Sequence, residues 1–181
     1  MDTPVVDGMK ADRVLHTPPA LQIDLRPAEI ADARQIWLWR NEPEARRCSF
    51  CADFIPWESH LAWFREKLRD AREAFLIAAG AAKQRPVGYV RFTLLEGGCA
   101  EIGIVIDPLC RGRGCGGAVL ACALGWAAQR LPARRVLARI KPSNLRSISL
   151  FWKAGFRPVP GPSGAKTGAL EMAFDLDGRE A

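Results

Sequence analysis

The chain carries, at residues 102–117, the segment IGIVIDPLCRGRGCGG, in which an apolar run passes into a glycine-rich stretch. The run 102–106 predicts a buried strand that ends at Asp107 and Pro108. Glycines allow positive φ angles and let the backbone approach a ligand closely, and unpaired amides at the start of a helix attract an anion. Arg111 and Arg113 add positive charge beside these amides. The segment therefore predicts a strand, an anion-binding loop and a helix.

Two common phosphate-binding motifs fit this segment poorly. A G-x-G-x-x-G string runs from Gly112 to Gly117, but no βαβ unit precedes it and no acidic residue follows on a strand about 20 residues later. A Walker A loop needs Lys followed by Ser or Thr after its last glycine, whereas Ala118 and Val119 stand there. Both the dinucleotide motif and the Walker A motif are therefore disfavoured.

Hydrophobic periodicity and turn residues predict further strands and helices on both sides of the segment. The predicted strands span 21–26, 74–79, 86–95, 99–107, 135–140 and 168–176, and the predicted helices span 27–40, from 56 onward, from the glycines to about 130, and 144–154. Gly97 and Gly98 predict a hairpin, and the later strand–helix–strand order predicts a parallel crossover. This order favours one α/β (α+β) domain over residues 21–181, preceded by a flexible arm at 1–20.

A second motif lies downstream at residues 144–156, with the sequence NLRSISLFWKAGF. Arg111, Gly114 and Gly116, spaced R-x-x-G-x-G after a strand, resemble the acetyl-CoA signature of the GNAT acetyltransferase superfamily. The downstream segment is similar to the later N-x-x-S-x-x-L-Y-x-K-x-G-F helix of that family. The two motifs occur in the order and at the distance that the family shows.

The resemblance implies a strongly twisted mixed sheet of about seven strands with helices on both faces. Its fourth and fifth strands are expected to splay apart and to hold acetyl-CoA, as co-substrate, in the gap between them, without a metal. The residues expected to bind the cofactor lie in the fourth strand, in the glycine-rich loop and in the later helix: Ile104, Val105, Ile106, Arg111, Gly112, Arg113, Gly114, Cys115, Gly116, Gly117, Asn144, Ser147, Phe151 and Lys153.

The implied reaction is direct attack of an amine on the thioester, which requires a group that takes the proton of the amine. Glu101, at the start of the fourth strand, is the first candidate base, and His60 is the second because an imidazole titrates near neutral pH. The family motif has a tyrosine where this chain has Phe151, so the usual proton donor to the leaving thiolate is missing. That departure keeps a non-catalytic acyl-CoA sensor open as an alternative.

The acceptor is expected to contact the first half of the chain. A W-R-N segment at 39–41, a following Arg46 and an H-x-x-W-F segment at 60–64 resemble the superfamily branch that acetylates nucleotide-linked amino sugars, as in pseudaminic acid biosynthesis. Arginine forks suit phosphates, and indole rings stack on bases or sugars. The expected acceptor-binding residues are Trp39, Arg40, Asn41, Arg46 and Trp63. A protein or peptide N-terminus and another small amine remain alternative acceptors.

Composition and charge limit the remaining function classes. Lys and Arg number 26 against 20 Asp and Glu, a net charge of +6, but the basic residues are scattered and no nucleic-acid motif occurs. No secretory signal and no membrane-spanning apolar stretch is found, so a cytoplasmic protein with six reduced cysteines is expected. The C-x-x-C pair at 48–51 has no second pair, which disfavours a metal site. An exposed strand near the C-terminus leaves a homodimer open.

Overall fold

The computed structural model describes residues 22–80, 85–160 and 168–177, so the arm predicted at residues 1–20 lies outside the described residues. The strands are β1 (Ile23–Pro27), β2 (Glu73–Gly80), β3 (Pro86–Leu95), β4 (Cys99–Ile106), β5 (Arg135–Ile140), β6 (Arg157–Pro158) and β7 (Leu170–Asp175). The α-helices are α1 (Ala33–Asn41), α2 (Pro43–Cys48), α3 (Trp57–Lys67), α4 (Cys115–Arg130) and α5 (Leu145–Lys153). Short 3₁₀ turns occupy Ile30–Asp32, Glu96–Gly98 and Pro108–Cys110.

All of these strands form one sheet in the order β1-β2-β3-β4-β5-β7-β6. The pairs β1–β2, β2–β3 and β3–β4 are antiparallel, β4–β5 is parallel across the α4 crossover, and β7 pairs antiparallel with both β5 and β6. The Gly97–Gly98 hairpin and the parallel crossover are found where the sequence predicted them. This confirms the predicted mixed seven-stranded sheet.

Helices cover both faces of the sheet, and each face has its own apolar core. Against α4 and α5 the sheet contributes buried residues such as Val90, Phe92 and Ile102. Against α1 and α3 it contributes Phe75, Ile77 and Tyr89. Side chains alternate between these two faces along each strand, because successive residues of a strand point to opposite sides.

The ladder between β4 and β5 is short. It joins Cys99 to Arg135, Ala100 to Val136 and Glu101 to Leu137. Beyond Glu101, the rest of β4 has no partner on β5 in the described part of the chain. The two strands therefore separate toward their C-terminal ends and leave the gap that the sequence resemblance implied.

The region before α3 differs from the sequence prediction of one helix over 27–40. Pro27 ends β1, and α1 begins only at Ala33. The carboxylate of Asp32 explains the delay, because it accepts the Glu29 amide at 2.8 Å and pairs with Arg26 at 2.7 Å, which holds a tight turn before the helix. The sequence analysis also missed α2 and β6, which are only 6 and 2 residues long.

Helix α2 begins where it does because its own residues cap it. Pro43 occupies the first turn, and the Glu42 carboxylate accepts the amides of Glu44 at 3.0 Å and Ala45 at 2.9 Å. Within the described ranges, no helix is both long enough and apolar enough to cross a membrane.

Candidate active site

The glycine-rich loop lies at the open end of the gap between β4 and β5. Gly112 and Gly114 have φ angles of 72° and 81°, and Gly114 is the N-cap of α4. The first amide bonded into the helix is that of Ala118, to the Gly114 carbonyl at 3.2 Å. Among the described residues, the backbone amides of residues 112–117 donate no hydrogen bond to another backbone group. This loop therefore presents free backbone donors.

The start of α4 is held between β4 and α5. A Cβ atom built on Gly116 would lie 3.5 Å from the Leu150 side chain of α5 and 3.8 Å from the Ile106 side chain of β4. The free amides are thus positioned where the two separating strands meet the two helices. An extended anionic ligand could enter the gap here and meet donors at its mouth.

Arg111, predicted to bind the cofactor, is already engaged within the fold. Its Nε donates to the Ile106 carbonyl at 3.0 Å, and its two terminal nitrogens bind Glu44 and Glu42, each at 2.9 Å. Burial acts to raise the pKa of Glu42, but the amides at the start of α2 and the Arg111 guanidinium outweigh burial and hold that pKa below its ordinary value. Arg111 therefore fixes the loop to α2 in this state.

The same acidic pair also reaches the other side of the gap. The second oxygen of Glu44 accepts from Arg146 of α5 at 2.7 Å, and Lys141, just after β5, donates to the Arg47 carbonyl at 3.1 Å. We call Glu42 and Glu44 the acidic clasp. Through it α2 contacts both the loop that follows β4 and the helix that follows β5.

The predicted cofactor residues of α5 lie in different surroundings. Asn144 caps the helix by accepting the Ser147 amide at 3.1 Å, so both residues lie at the end near the clasp. Phe151 is only 3% exposed and packs edge-on against Phe156 at 4.8 Å between ring centroids. Lys153 is exposed at the opposite end of α5. The phenylalanine that replaces the expected tyrosine is thus a core residue.

The residues of β4 that line the gap alternate between the two cores. Ile104 and Ile106 pack on the side of α4 and α5, and Val105 packs on the side of α1 and α3. Gly103 is exposed, and a Cβ built there would meet no atom within 4 Å. The main chain of this stretch, unpaired toward β5, is accessible along an open edge.

Glu101 lies at the vertex of the gap, as the last residue of β4 paired with β5. Its carboxylate forms an ion pair with Arg139 of β5 at 2.5 Å, and its side chain is 28% exposed. It shares its face of the sheet with Gly103 and with Arg91, which is opposite Gly103 in the β3–β4 register. Arg91 in turn binds the buried carboxylate of Glu73 at 2.8 and 2.6 Å.

His60, the second candidate base, is a core residue. Its side chain is 1% exposed, its Nε2 lies 3.1 Å from the Ala33 carbonyl, and its ring stacks on Phe64. Burial lowers the pKa of the imidazole, and the contact with the Ala33 carbonyl opposes that shift only in part. These contacts join α3 to α1 and bury the imidazole between the two helices.

Two residues predicted to bind the acceptor make contacts that hold α1 in place. Trp39 is 3% exposed, and its indole donates to Asp107 at the end of β4 at 2.9 Å. The Asn41 side chain donates to the Ile55 carbonyl at 3.0 Å and accepts the Ile55 amide at 2.8 Å. Trp63, by contrast, is half-buried and has the Arg91 guanidinium 5.3 Å from its ring centroid.

Arg40 and Arg46 are the predicted acceptor residues that keep free donors. One terminal nitrogen of Arg40 donates to the Ser49 hydroxyl at 2.5 Å and to the Cys51 carbonyl at 3.2 Å. Its other terminal nitrogen is buried and, like the buried Nε of Arg46, has no hydrogen-bond partner in the ranges that the structure describes.

Sequence reasoning missed several charged or polar residues around the gap, namely Glu42, Glu44, Tyr89, Arg91, Arg139 and Arg146. Tyr89 carried one usable signal, since it is the only tyrosine of the chain and stands in a predicted strand. The others are ordinary charged residues in their local sequence. Their relation to the gap depends on contacts across the fold.

The chain is similar to known proteins in sequence and in fold. A family model described as an acetyltransferase (GNAT) domain matches residues 22–157. No curated protein sequence matches the chain. Among solved structures, spermidine N-acetyltransferase from Vibrio cholerae, in complex with CoA and spermine, is similar with 17% identity and a TM-score of 0.76, over 86% of this chain and 96% of that one.

Two further solved structures share the architecture. A domain from Methanocaldococcus jannaschii has 23% identity and a TM-score of 0.72, over 85% of this chain and 98% of its own. An aminoglycoside acetyltransferase in complex with coenzyme A has 18% identity and a TM-score of 0.71, over 85% and 95%. At these identities the likeness establishes a common fold.

Proposed function

Because the chain belongs to the GNAT acetyltransferase family and is thus an N-acetyltransferase, we propose that it transfers the acetyl group of acetyl-CoA directly to the amino group of a small acceptor. One observation carries the proposal. The free amides of residues 112–117 stand at the mouth of a gap in which β4 has lost its pairing with β5. A ligand with a phosphate head and a long polar arm matches these two features.

The pyrophosphate of CoA would bind the free amides at the start of α4, where the helix dipole favours negative charge. The pantetheine arm would follow the open main chain of residues 104–106, whose edge toward β5 is unpaired. Arg111 contributes differently from what the sequence suggested, because its guanidinium first binds the acidic clasp. We expect it to shape the loop and to exchange partners when phosphates arrive.

The chemical step needs a neutral amine beside the thioester carbon. We propose Glu101 as the group that takes the amine proton, directly or through one water, since it lies at the vertex of the gap with its carboxylate partly exposed. The nitrogen then bonds to the acetyl carbon, the C–S bond breaks, and the electron pair leaves with the CoA sulfur. Phe151 has no proton to give that sulfur, so solvent would supply it. The buried contacts of His60 support a structural role instead.

The residues in the first half of the chain that were expected to contact the acceptor limit the class of acceptor. Trp39 and Asn41, on which the likeness to nucleotide-amino-sugar acetyltransferases partly rests, are used in holding α1. Arg40, Arg46 and Trp63 keep the properties that a phosphate and a sugar would need. We therefore propose a small primary amine, and we retain a nucleotide-linked amino sugar as one member of that class. The similar structures of spermidine and aminoglycoside acetyltransferases also concern small amines.

A matched pair of glycine variants tests the cofactor site. Alanine disfavours the left-handed conformation of residue 114 by roughly 1–2 kcal/mol, so in Gly114→Ala the free loop should leave the conformation that presents its amides. Acetyl-CoA binding should then weaken about tenfold, because the ligand must restore that conformation. Gly125→Ala, in the middle of α4 with open space at its Cβ, makes the same chemical change and should leave binding intact. Calorimetric titration with acetyl-CoA measures both. An unchanged dissociation constant for Gly114→Ala would contradict the assignment of the loop.

Thiol release from acetyl-CoA with a panel of amines tests turnover. A primary amine that accelerates release, with the N-acetyl product seen by mass spectrometry, supports the proposal. Tight acetyl-CoA binding without release for any amine would favour the sensor alternative.

A further inference from the structure

Two buried arginine nitrogens lack any partner in the described chain, Nη1 of Arg40 and Nε of Arg46. A buried charged donor without an acceptor is costly, so native structures rarely leave one unless a ligand or water completes it. No carboxylate of the described residues lies within ion-pair distance of either guanidinium. The fold therefore contains two buried guanidinium donors whose hydrogen bonds a ligand could complete.

The direction of the Arg40 donor is fixed by its other bonds. Its Nη2 is held by the Ser49 hydroxyl and the Cys51 carbonyl, so the planar guanidinium cannot rotate Nη1 toward solvent without breaking both. The Ser49 amide in turn bonds the Arg46 carbonyl at 3.1 Å. Ser49, which accepts from Arg40, thus caps the C-terminal end of α2, the helix that carries Arg46.

Tyr89, on β3, packs against α1, the helix that carries Arg40. Its ring stacks on Trp39, the neighbour of Arg40 in α1, with 6.3 Å between centroids. Burial raises the pKa of its hydroxyl, and the positive charges of Arg40 and Arg91 act in the opposite direction. In the β3–β4 register Tyr89 is opposite Val105, two residues from Gly103 on the same open face as Glu101.

The other charges on this face already have partners. Arg91 binds Glu73 through two nitrogens, and Arg139 binds Glu101. The carboxylates that a polycation such as spermidine would need are therefore occupied by arginines. Unlike these two arginines, Arg40 and Arg46 have no ion pair in the described residues.

We propose that Arg40, Arg46 and Tyr89 form a subsite for an anionic group of the acceptor, a carboxylate or a phosphate, so that the enzyme acetylates an amine that also carries negative charge. This inference rests on the proposed function, because the acceptor is the amine that this family member acetylates. Either anion suits these donors, since carboxylate and phosphate oxygens both accept charge-assisted hydrogen bonds from guanidinium N–H groups, here Nη1 of Arg40 and Nε of Arg46. The same oxygens could come from the phosphates of CoA, and the experiment distinguishes these sources.

Matched acceptors test the charge preference. Thiol release is measured with glucosamine 6-phosphate against glucosamine, with methionine against methioninamide, and with spermidine. The anionic member of a pair should have kcat/KM at least about tenfold higher than its neutral counterpart. Equal or better use of the neutral members or of spermidine would overturn the proposal.

Arg40→Gln identifies the residue and the source of the anion. It should raise KM for the anionic acceptor about tenfold while changing KM for acetyl-CoA and for the neutral acceptor less than twofold. Arg47→Gln, at an exposed neighbouring position of α2, is the control for lost charge. Arg40→Lys should restore part of the affinity. A rise in KM for acetyl-CoA alone would assign the arginine to CoA and overturn the proposal.

A binding measurement keeps the test independent of turnover. Because the chain has a single tyrosine, protein labelled with ¹³C at the tyrosine Cζ gives one resonance from Tyr89. Inorganic phosphate, added to the CoA-saturated enzyme, should shift that resonance saturably in the wild type and not in Arg40→Gln. No shift in the wild type overturns the subsite. Failure of acetyl-CoA to bind would instead count against the proposed function, and the same titration on the free enzyme, with the same comparison of wild type and Arg40→Gln, would still test the subsite.

Discussion

Arg111 and Arg40 make opposite use of the same functional group. Arg111, beside the glycine-rich loop, has its Nε and both terminal nitrogens bound to a carbonyl and two carboxylates. Arg40, beside the acceptor face, keeps one buried terminal nitrogen without an acceptor in the described residues. The arginine in the recognisable motif is neutralised, and the arginine outside it is not. Whether an arginine can bind a ligand thus depends on the partners that the fold places around its guanidinium group.

On the proposals above, the two ends of the gap would bind anions by different means. At the cofactor end, backbone amides of residues 112–117 provide the donors, and the side-chain charge is balanced by the acidic clasp. At the acceptor end, side chains provide the donors, and no carboxylate among the described residues balances them. Variants at one end should change the KM of one substrate only. A variant of Glu101, at the vertex between the ends, should change the KM of neither substrate.

Glu101→Gln is the variant with the largest expected effect. It should lower kcat about 100-fold, the usual contribution of a positioned base, with little change in either KM. Its exposed ion pair with Arg139 contributes at most about 1 kcal/mol to stability, so the variant should fold. Steady-state kinetics across pH provides the measurement, and Glu96→Gln in the exposed hairpin is the control.

The outcome also tests the boundary between the two ends. If Glu101→Gln changed only the KM of the acceptor, Glu101 would belong to the acceptor end as a binding residue. A full kcat at every pH would remove it from the chemistry altogether.

The sequence was sufficient for the fold and for the loop because both depend on local patterns. Alternation in the strands, the Gly97–Gly98 hairpin and the glycines at 112 and 114 each act within a few residues. The balance of charge depends on contacts between distant residues. Glu44 and Arg111 are 67 positions apart, and Trp39 and Asp107 are 68 positions apart. No periodicity marks such pairs, so the sequence could not separate a binding residue from one that holds α1 in place.

Glu44→Gln would remove one of the two carboxylate partners of Arg111 and leave Glu42 as the other. The amide keeps the shape of the side chain but removes the charge that binds Arg111 and Arg146. On our proposal that CoA phosphates compete with the clasp for these guanidinium groups, we expect the dissociation constant of acetyl-CoA to fall about two- to fivefold, in line with up to about 1 kcal/mol for a partly exposed ion pair. Isothermal titration gives the value, with Glu58→Gln on exposed α3 as the matched control.

Weaker binding in Glu44→Gln would reverse the interpretation of the clasp. In that case Glu44 would orient Arg111 for the cofactor, and the neutralised arginine would be a prepared ligand. Arg111 would then differ from Arg40 in being held by carboxylates in the orientation that its ligand needs.

His60 represents a third situation, a titratable group whose ring is buried in the core between α1 and α3. Burial lowers its pKa in the folded state, so the unfolded chain binds a proton more readily as pH falls below about 6.5. The stability that the neutral imidazole contributes is therefore present above that pH and decreases below it. Chemical denaturation at pH 7.5 and at pH 5.5 should show a loss of stability in the wild type that is smaller in His60→Phe. If His60 were instead the catalytic base, the variant would abolish turnover at pH 7.5 in protein that remains folded, and the core assignment would be wrong.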